Sequence, residues 1–274
     1  MYSNGGIYIP DRKPPLGAVR NPYLPINQGI VGDWLMNEGS GNTVADLSGN
    51  SIEGTVSVFT WGSSLNGPAL TTASVNSVVS LPASYTPLDG ISTFSVVMNV
   101  NISAMGADRG LFYTDTHAKG ISLWADEAGS DRFTLYMDTS DGNTGTLNGS
   151  TNVALNTWYQ VVFTYDGTTV RLYVNGVAEG NEFPYAHTGT LDVTGSNYSF
   201  GNDSNLGKDF IGTLDYTYLY NRTLSATERA QLYREPFCMF DRDPIELWTG
   251  AMGGGVPPVG NAGIMTCNAG YWGA

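Results

Sequence analysis

The chain has 274 residues, 41% of them hydrophobic and only 14% charged, with 35 glycines and 16 tyrosines. That mix suits a large sheet-rich domain with appendages and excludes a disordered chain. Twenty-five acids against twelve bases give a net charge of −13, which repels phosphate backbones and excludes nucleic acid as a partner.

Residues 1–27 contain Pro10, Pro14, Pro15, Pro22 and Pro25. Prolines at this density stop helices and fit central strands badly, so the segment is predicted to be an extended arm. Fixing each backbone residue costs about 1–2 kcal/mol, so an ordered arm needs a surface to lie on. A neighbouring subunit is the expected surface. Met1 to Pro10 lack the basic start and apolar stretch of an export signal. No run of eighteen apolar residues occurs, so no membrane insertion is expected.

Residues 28–234 alternate short apolar runs with Gly, Asn, Asp and Ser clusters, the pattern of many short strands in a sandwich. Strands are predicted over 30–37, 77–81, 94–101, 110–113, 121–124, 133–137, 198–201 and 210–220. The clearest unit is the pair 158–165 and 170–174, in which Val161, Phe163 and Tyr165 share one face of the first strand and Val170, Leu172 and Val174 lie together on the second. Asp166-Gly167 and Asn175-Gly176 supply the tight turns. Ser225-Ala226-Thr227-Glu228 reads as a capping box that opens a short helix to about Tyr233, and Pro236 stops it soon after.

Residues 235–274 lose the strand rhythm and mix glycines with Phe237, Phe240, Trp248 and Trp272. A flexible linker would not carry so many large apolar groups, so this is read as a second arm with packing sites. Cys238 and Cys267 are too few for a disulfide framework, and no Cys/His zinc spacing exists.

Three blocks resemble the laminin-G-like branch of the concanavalin A-like lectin/glucanase superfamily. They are Gly32–Gly41 with the Asp46-Leu47-Ser48-Gly49-Asn50 turn, the hairpin Trp158–Gly176, and Gly212–Ser225 followed by Glu228, Leu232 and Tyr233. They occur in the family's order. The resemblance implies an all-β fold, a two-sheet antiparallel jelly-roll sandwich with one short C-terminal helix. Met98 and Asn99 stand where many members carry a tryptophan. The stretch from Tyr233 to Phe240 and on to Trp248 resembles the ends of laminin-G-like proteins of tailed bacteriophages.

Glycosidases of this fold would carry an ExDxxE strand that puts acid and nucleophile on one face. The sequence has none, and no GxSxG elbow or Walker A either, so no catalytic residue and no enzyme activity is expected. No cofactor is required. Ca²⁺ at the sheet rim is implied by the resemblance, with Asp46 and Asp215 as its ligands, since a hard cation takes oxygen donors. Glycan binding needs an aromatic ring beside hydrogen-bonding groups; Trp124, Tyr113 and Tyr136 with Asp126 are the candidates. Assembly is assigned to Pro14, Pro15, Phe237, Phe240, Trp248 and Trp272. These readings combine into a structural or decoration protein of a virus (phage) particle. It would associate with itself and with other virion proteins, synthesised in the host cytoplasm and extracellular after release. A carbohydrate-binding adhesin touching host surface glycans is the alternative, and a glycoside hydrolase the disfavoured third reading.

Overall fold

The structure, a computed structural model, describes residues 12–240 apart from 107, 115–119, 126–128, 143, 180–187, 192, 194–196 and 203–207. In chain order the first strands are β1 (Ile30–Trp34), β2 (Thr43–Val44), β3 (Gly54–Ser57), β4 (Thr60–Ser63), β5 (Pro68–Thr72) and β6 (Val78–Ser80). There follow β7 (Phe94–Ile102), β8 (Arg109–Tyr113), β9 (Ile121–Ala125), β10 (Phe133–Asp138) and β11 (Thr144–Asn148). The last are β12 (Trp158–Tyr165), β13 (Val170–Val174), β14 (Val177–Glu179), β15 (Ser199–Phe200) and β16 (Gly212–Tyr220), before helix α1 (Ala226–Arg234).

The first sheet runs β14-β13-β12-β7-β16-β5-β4, with β1 also paired to β16; the second runs β11-β10-β9-β8-β15-β6-β3-β2. All named pairings are antiparallel. This is the two-sheet sandwich that the sequence implies. The predicted hairpin forms, with Phe163 opposite Leu172 and Tyr165 opposite Val170, so the apolar residues of both strands share one face. Asn175 and Gly176 both adopt positive φ, 51° and 78°, as a tight hairpin turn requires.

Between the sheets lies the larger core. Phe112 of the second sheet meets Phe163 of the first at 6.0 Å between ring centroids, and Phe94 meets Phe163 at 5.9 Å edge-on. Trp34 is fully buried and donates its indole N–H to the Ile52 carbonyl at 2.9 Å.

A second apolar cluster lies on the outer face of the first sheet. It joins Val97, Val162, Tyr173, Tyr216, Tyr218 and Tyr220 to Ile26, Leu224, Leu232 and residues 237–240. The strands beneath are therefore buried on both faces, which explains why β7, β12 and β16 read as near-continuous apolar runs rather than clean alternations. The cover is α1 with the described parts of both terminal segments. The capping box of α1 forms as predicted: Ser225 Oγ accepts from the Glu228 amide, and Glu228 accepts from the Ser225 amide.

The described N-terminal segment, 12–27, is expected to be extended but turns at 16–17 and 22–23 and closes in a 3-10 helix at Pro25–Asn27, and the surface it lies on is its own sandwich. Arg20 bridges antiparallel to Phe240, and the Asn21 amide donates to the Met239 carbonyl at 3.0 Å. This also corrects the assembly assignment. Phe237 is 5% exposed and Phe240 4%, and the Phe237 ring packs edge-on to Tyr216 at 5.5 Å. Burying each ring stabilises the fold by roughly 1.5–3 kcal/mol, so these rings are committed to the chain's own core. Pro14 is half-buried, and its carbonyl accepts from the Asn37 side chain at 3.0 Å. Pro15 is exposed. Trp248 and Trp272 lie outside the described residues.

Candidate functional site

The two acids expected at a rim Ca²⁺ site are engaged otherwise. Asp46 sits in its turn as an acceptor: Oδ1 takes the amides of Asp33 and Ser48 at 3.0 and 2.8 Å, and Oδ2 takes the Ser48 hydroxyl at 2.6 Å and the Ile52 amide at 3.1 Å. Those donors fill the lone pairs a cation would use.

Asp215 is fully buried at a bulge in β16, between Leu214 and Tyr216. The Ser64 hydroxyl donates to it at 2.6 Å, the Asn99 amide at 2.9 Å, and Asn66 adds a further bond. The Lys13 ammonium lies 2.7 Å from Oδ1, with the two side chains 2% and 0% exposed. Lys13 also donates to the carbonyls of Met36 and Pro68. An ammonium from the N-terminal segment thus stands where the resemblance implied Ca²⁺. Burial pulls the Lys13 pKa below its usual range, against the opposing pull of Asp215 and Glu38.

Asp33 is a second buried acid on this face, 0% exposed, with neither carboxylate oxygen hydrogen-bonded. Arg20 Nε is 3.7 Å away, but that guanidinium donates to the carbonyls of Leu47 and Ser48. Burial pushes the Asp33 carboxyl up to about 8; Arg20 opposes the rise and Asp46 adds to it.

The outer face of the second sheet differs. Strand β10 sends Phe133, Leu135 and Met137 into the core, so Thr134, Tyr136 and Asp138 point outward. In β11 only Leu147 joins the core, and Thr144, Thr146 and Asn148 are exposed. Register sets Tyr136 between Ser122 of β9 and Thr146 of β11, and Asp138 opposite Thr144. Thr134 donates to the Asn148 side chain at 3.0 Å. The half-buried Tyr136 ring therefore lies among hydroxyls, an amide and a carboxylate, which offers an apolar surface framed by donors and acceptors.

Two further rings expected to bind glycan share this face but are covered. Trp124 is 2% exposed, with the Lys208 ammonium 3.6 Å from its ring centroid and held there by Asp108 at 2.7 Å. Tyr113 is 1% exposed beneath the backbone around Lys208: a side-chain carbon at neighbouring Gly110 would meet both the Lys208 carbonyl and the Tyr113 ring. Neither ring is a platform in this arrangement. Asp126 lies outside the described residues. Sequence reading missed Asp138, Thr144, Thr146, Asn148 and Lys208. The period-two alternation of 133–138 carried the signal for Asp138, while Lys208 approaches from a segment distant in sequence.

The sequence model described as "Concanavalin A-like lectin/glucanases superfamily" matches residues 72–228. No curated protein matches the chain. Among solved structures, the binding domain of Paraclostridial Mosquitocidal Protein 1 is similar at 16% identity and a TM-score of 0.64, over 78% of this chain and 53% of that one. The receptor binding domain of botulinum neurotoxin D is similar at 14% identity and 0.60, over 78% and 54%. Domain 4 of a GH43 extracellular arabinanase from Geobacillus stearothermophilus, solved with arabinotriose, is similar at 17% identity and 0.57, over 74% and 98%. The match spans about half the length of the two toxin domains. At these identities the likeness is one of fold.

Proposed function

Because the chain belongs to the concanavalin A-like lectin/glucanases superfamily, we propose that it is a non-catalytic carbohydrate-binding protein that takes a sugar on the outer face of its second sheet. The observation that carries this is the contrast between the two outer faces. On the first sheet that face is covered by α1 and the terminal segments. On the second, β10 and β11 present Tyr136 beside Asp138, Thr144, Thr146 and Asn148. A sugar ring has an apolar face and a rim of hydroxyls, and this arrangement matches both. The similarity to a domain solved with arabinotriose supports the reading, and so does the absence of an ExDxxE strand.

Binding through this face, rather than assembly through the arms, is the reading we adopt. Two of the six residues assigned to assembly, Phe237 and Phe240, pack inside the chain. A glycan array followed by titration calorimetry tests it. Tyr136→Ala should weaken a bound glycan about 5- to 30-fold, the cost of removing a central aromatic contact, with an unchanged melting temperature. Full affinity in that variant would move the site elsewhere.

A further inference from the structure

The contact between Lys13 and Asp215 brings an amine and a carboxyl group together away from solvent. Their side chains are 2% and 0% exposed, whereas the other lysine pair among the described residues, Lys208 with Asp108, is 10% and 30% exposed. We propose that Lys13 and Asp215 condense into an intramolecular isopeptide bond, a covalent link between the N-terminal segment and β16.

The Lys13 Nζ lies 2.7 Å from Oδ1 of Asp215, and a carboxyl C–O bond adds only about 1.2 Å, so the nitrogen stands within about 4 Å of Cγ. An ammonium has three N–H donors. Here they face Asp215, the Met36 carbonyl at 3.4 Å and the Pro68 carbonyl. Removing the proton on the Asp215 side leaves the nitrogen lone pair aimed at the carboxyl group. Burial favours the neutral amine, against the opposing pull of Asp215 and Glu38. On the acceptor side, the amides of Asn66 and Asn99 both donate to Oδ2, and the Ser64 hydroxyl donates to Oδ1 at 2.6 Å. The two amides are placed to hold the charge that develops on Oδ2 as nitrogen adds to Cγ.

The step balances without an oxidant, a reductant or a co-reactant. The Nζ–Cγ bond forms and the Cγ–Oδ1 bond breaks. Two of the three ammonium protons leave with Oδ1 as water, the third stays on the amide nitrogen, and Oδ2 becomes the amide carbonyl. Glu38 is placed to carry a proton between the two groups. Its charge acts on Lys13, Oε1 takes the Ala45 amide at 2.8 Å, and Oε2 is buried without a hydrogen bond. Condensation replaces two buried charges by one neutral amide, which removes their desolvation cost. The same exclusion of water protects the product from hydrolysis.

Intact mass spectrometry of the denatured full chain reads the bond directly. The mass should fall short of the sequence by one water, and tandem spectra should join the peptide that holds Lys13 to the one that holds Asp215. Lys13→Met should show the full mass of its sequence. Glu38→Gln, with an unchanged far-UV spectrum, should condense on the order of a hundredfold more slowly. A wild-type chain at its full sequence mass would overturn the proposal, and that reading needs no variant to fold. Loss of one ammonia, mapped to Lys13 with Asn66 or Asn99, would overturn the choice of Asp215. Loss of water mapped to Lys208 with Asp108 would overturn the argument from burial.

Discussion

Replacing Lys13 by methionine removes the ammonium and keeps most of the stem. Asp215 then remains fully buried, 0% exposed, with no cation. Breaking a buried pair by deleting one member costs about 3–5 kcal/mol, far more than a surface pair is worth. Here the lower end applies, because Ser64, Asn66 and Asn99 still donate to the carboxylate. A loss of about 3 kcal/mol corresponds to roughly 6–12 °C in melting temperature for a domain of this size. Adding Asp215→Asn to Lys13→Met removes the orphaned charge, and the double variant should recover at least half of the loss. Urea unfolding of the four proteins in the cycle gives each stability and the coupling between them. A loss below about 1 kcal/mol for Lys13→Met, or a double variant as unstable as the sum of its parts, would refute the view that the N-terminal segment is pinned by this charge.

Asp33→Asn should flatten the pH dependence of stability. The Asp33 carboxyl is raised to about 8 when folded, so its contribution is whole below the unfolded value near 4 and is lost as pH rises through about 8, at up to about 1.4 kcal/mol per unit. Urea midpoints measured from pH 5 to 8 check this. Glu179 accepts from the amides and hydroxyls of both Ser150 and Thr151, at 2.6 to 3.0 Å. Burial acts to raise its pKa, but these donors outweigh it and the net shift is downward. Its contribution is therefore present above the ordinary carboxylate pKa and disappears as pH falls through the lowered one. Glu179→Ala should cost about 2–3 kcal/mol at neutral pH by thermal or urea unfolding. Lys208→Ala should uncover Trp124, read as stronger acrylamide quenching and a red shift of tryptophan emission; unchanged emission would mean other groups cover the ring.

Much of the fold was legible because its strands announce themselves by composition. The hairpin 158–174 and the Ser225 cap follow from local chemistry alone. Strands β2, β3, β4, β5, β11 and β14 went unread: Thr144–Asn148 holds a single core residue, and the others are short or mix polar with apolar residues. Proline density excluded a long helix over 12–27, but composition does not name the surface such a segment lies on. That surface depends on a buried aspartate at a bulge some 200 residues further along the chain. The glycan candidates show the same limit. Trp124, Tyr113 and Tyr136 all point outward by alternation, and whether a ring is open depends on Lys208, which arrives from another part of the chain.

The bridge between Arg20 and Phe240 has a practical reach beyond stability. It places the incoming and outgoing stretches of the sandwich side by side, on the sheet opposite the one that bears Tyr136. A bead, a label or a fused domain joined through either stretch would grip the sandwich from behind. Attachment through both described stretches at once should leave the proposed Tyr136 surface on the far sheet, so the sandwich would suit multivalent presentation, in which weak single-site affinities add up.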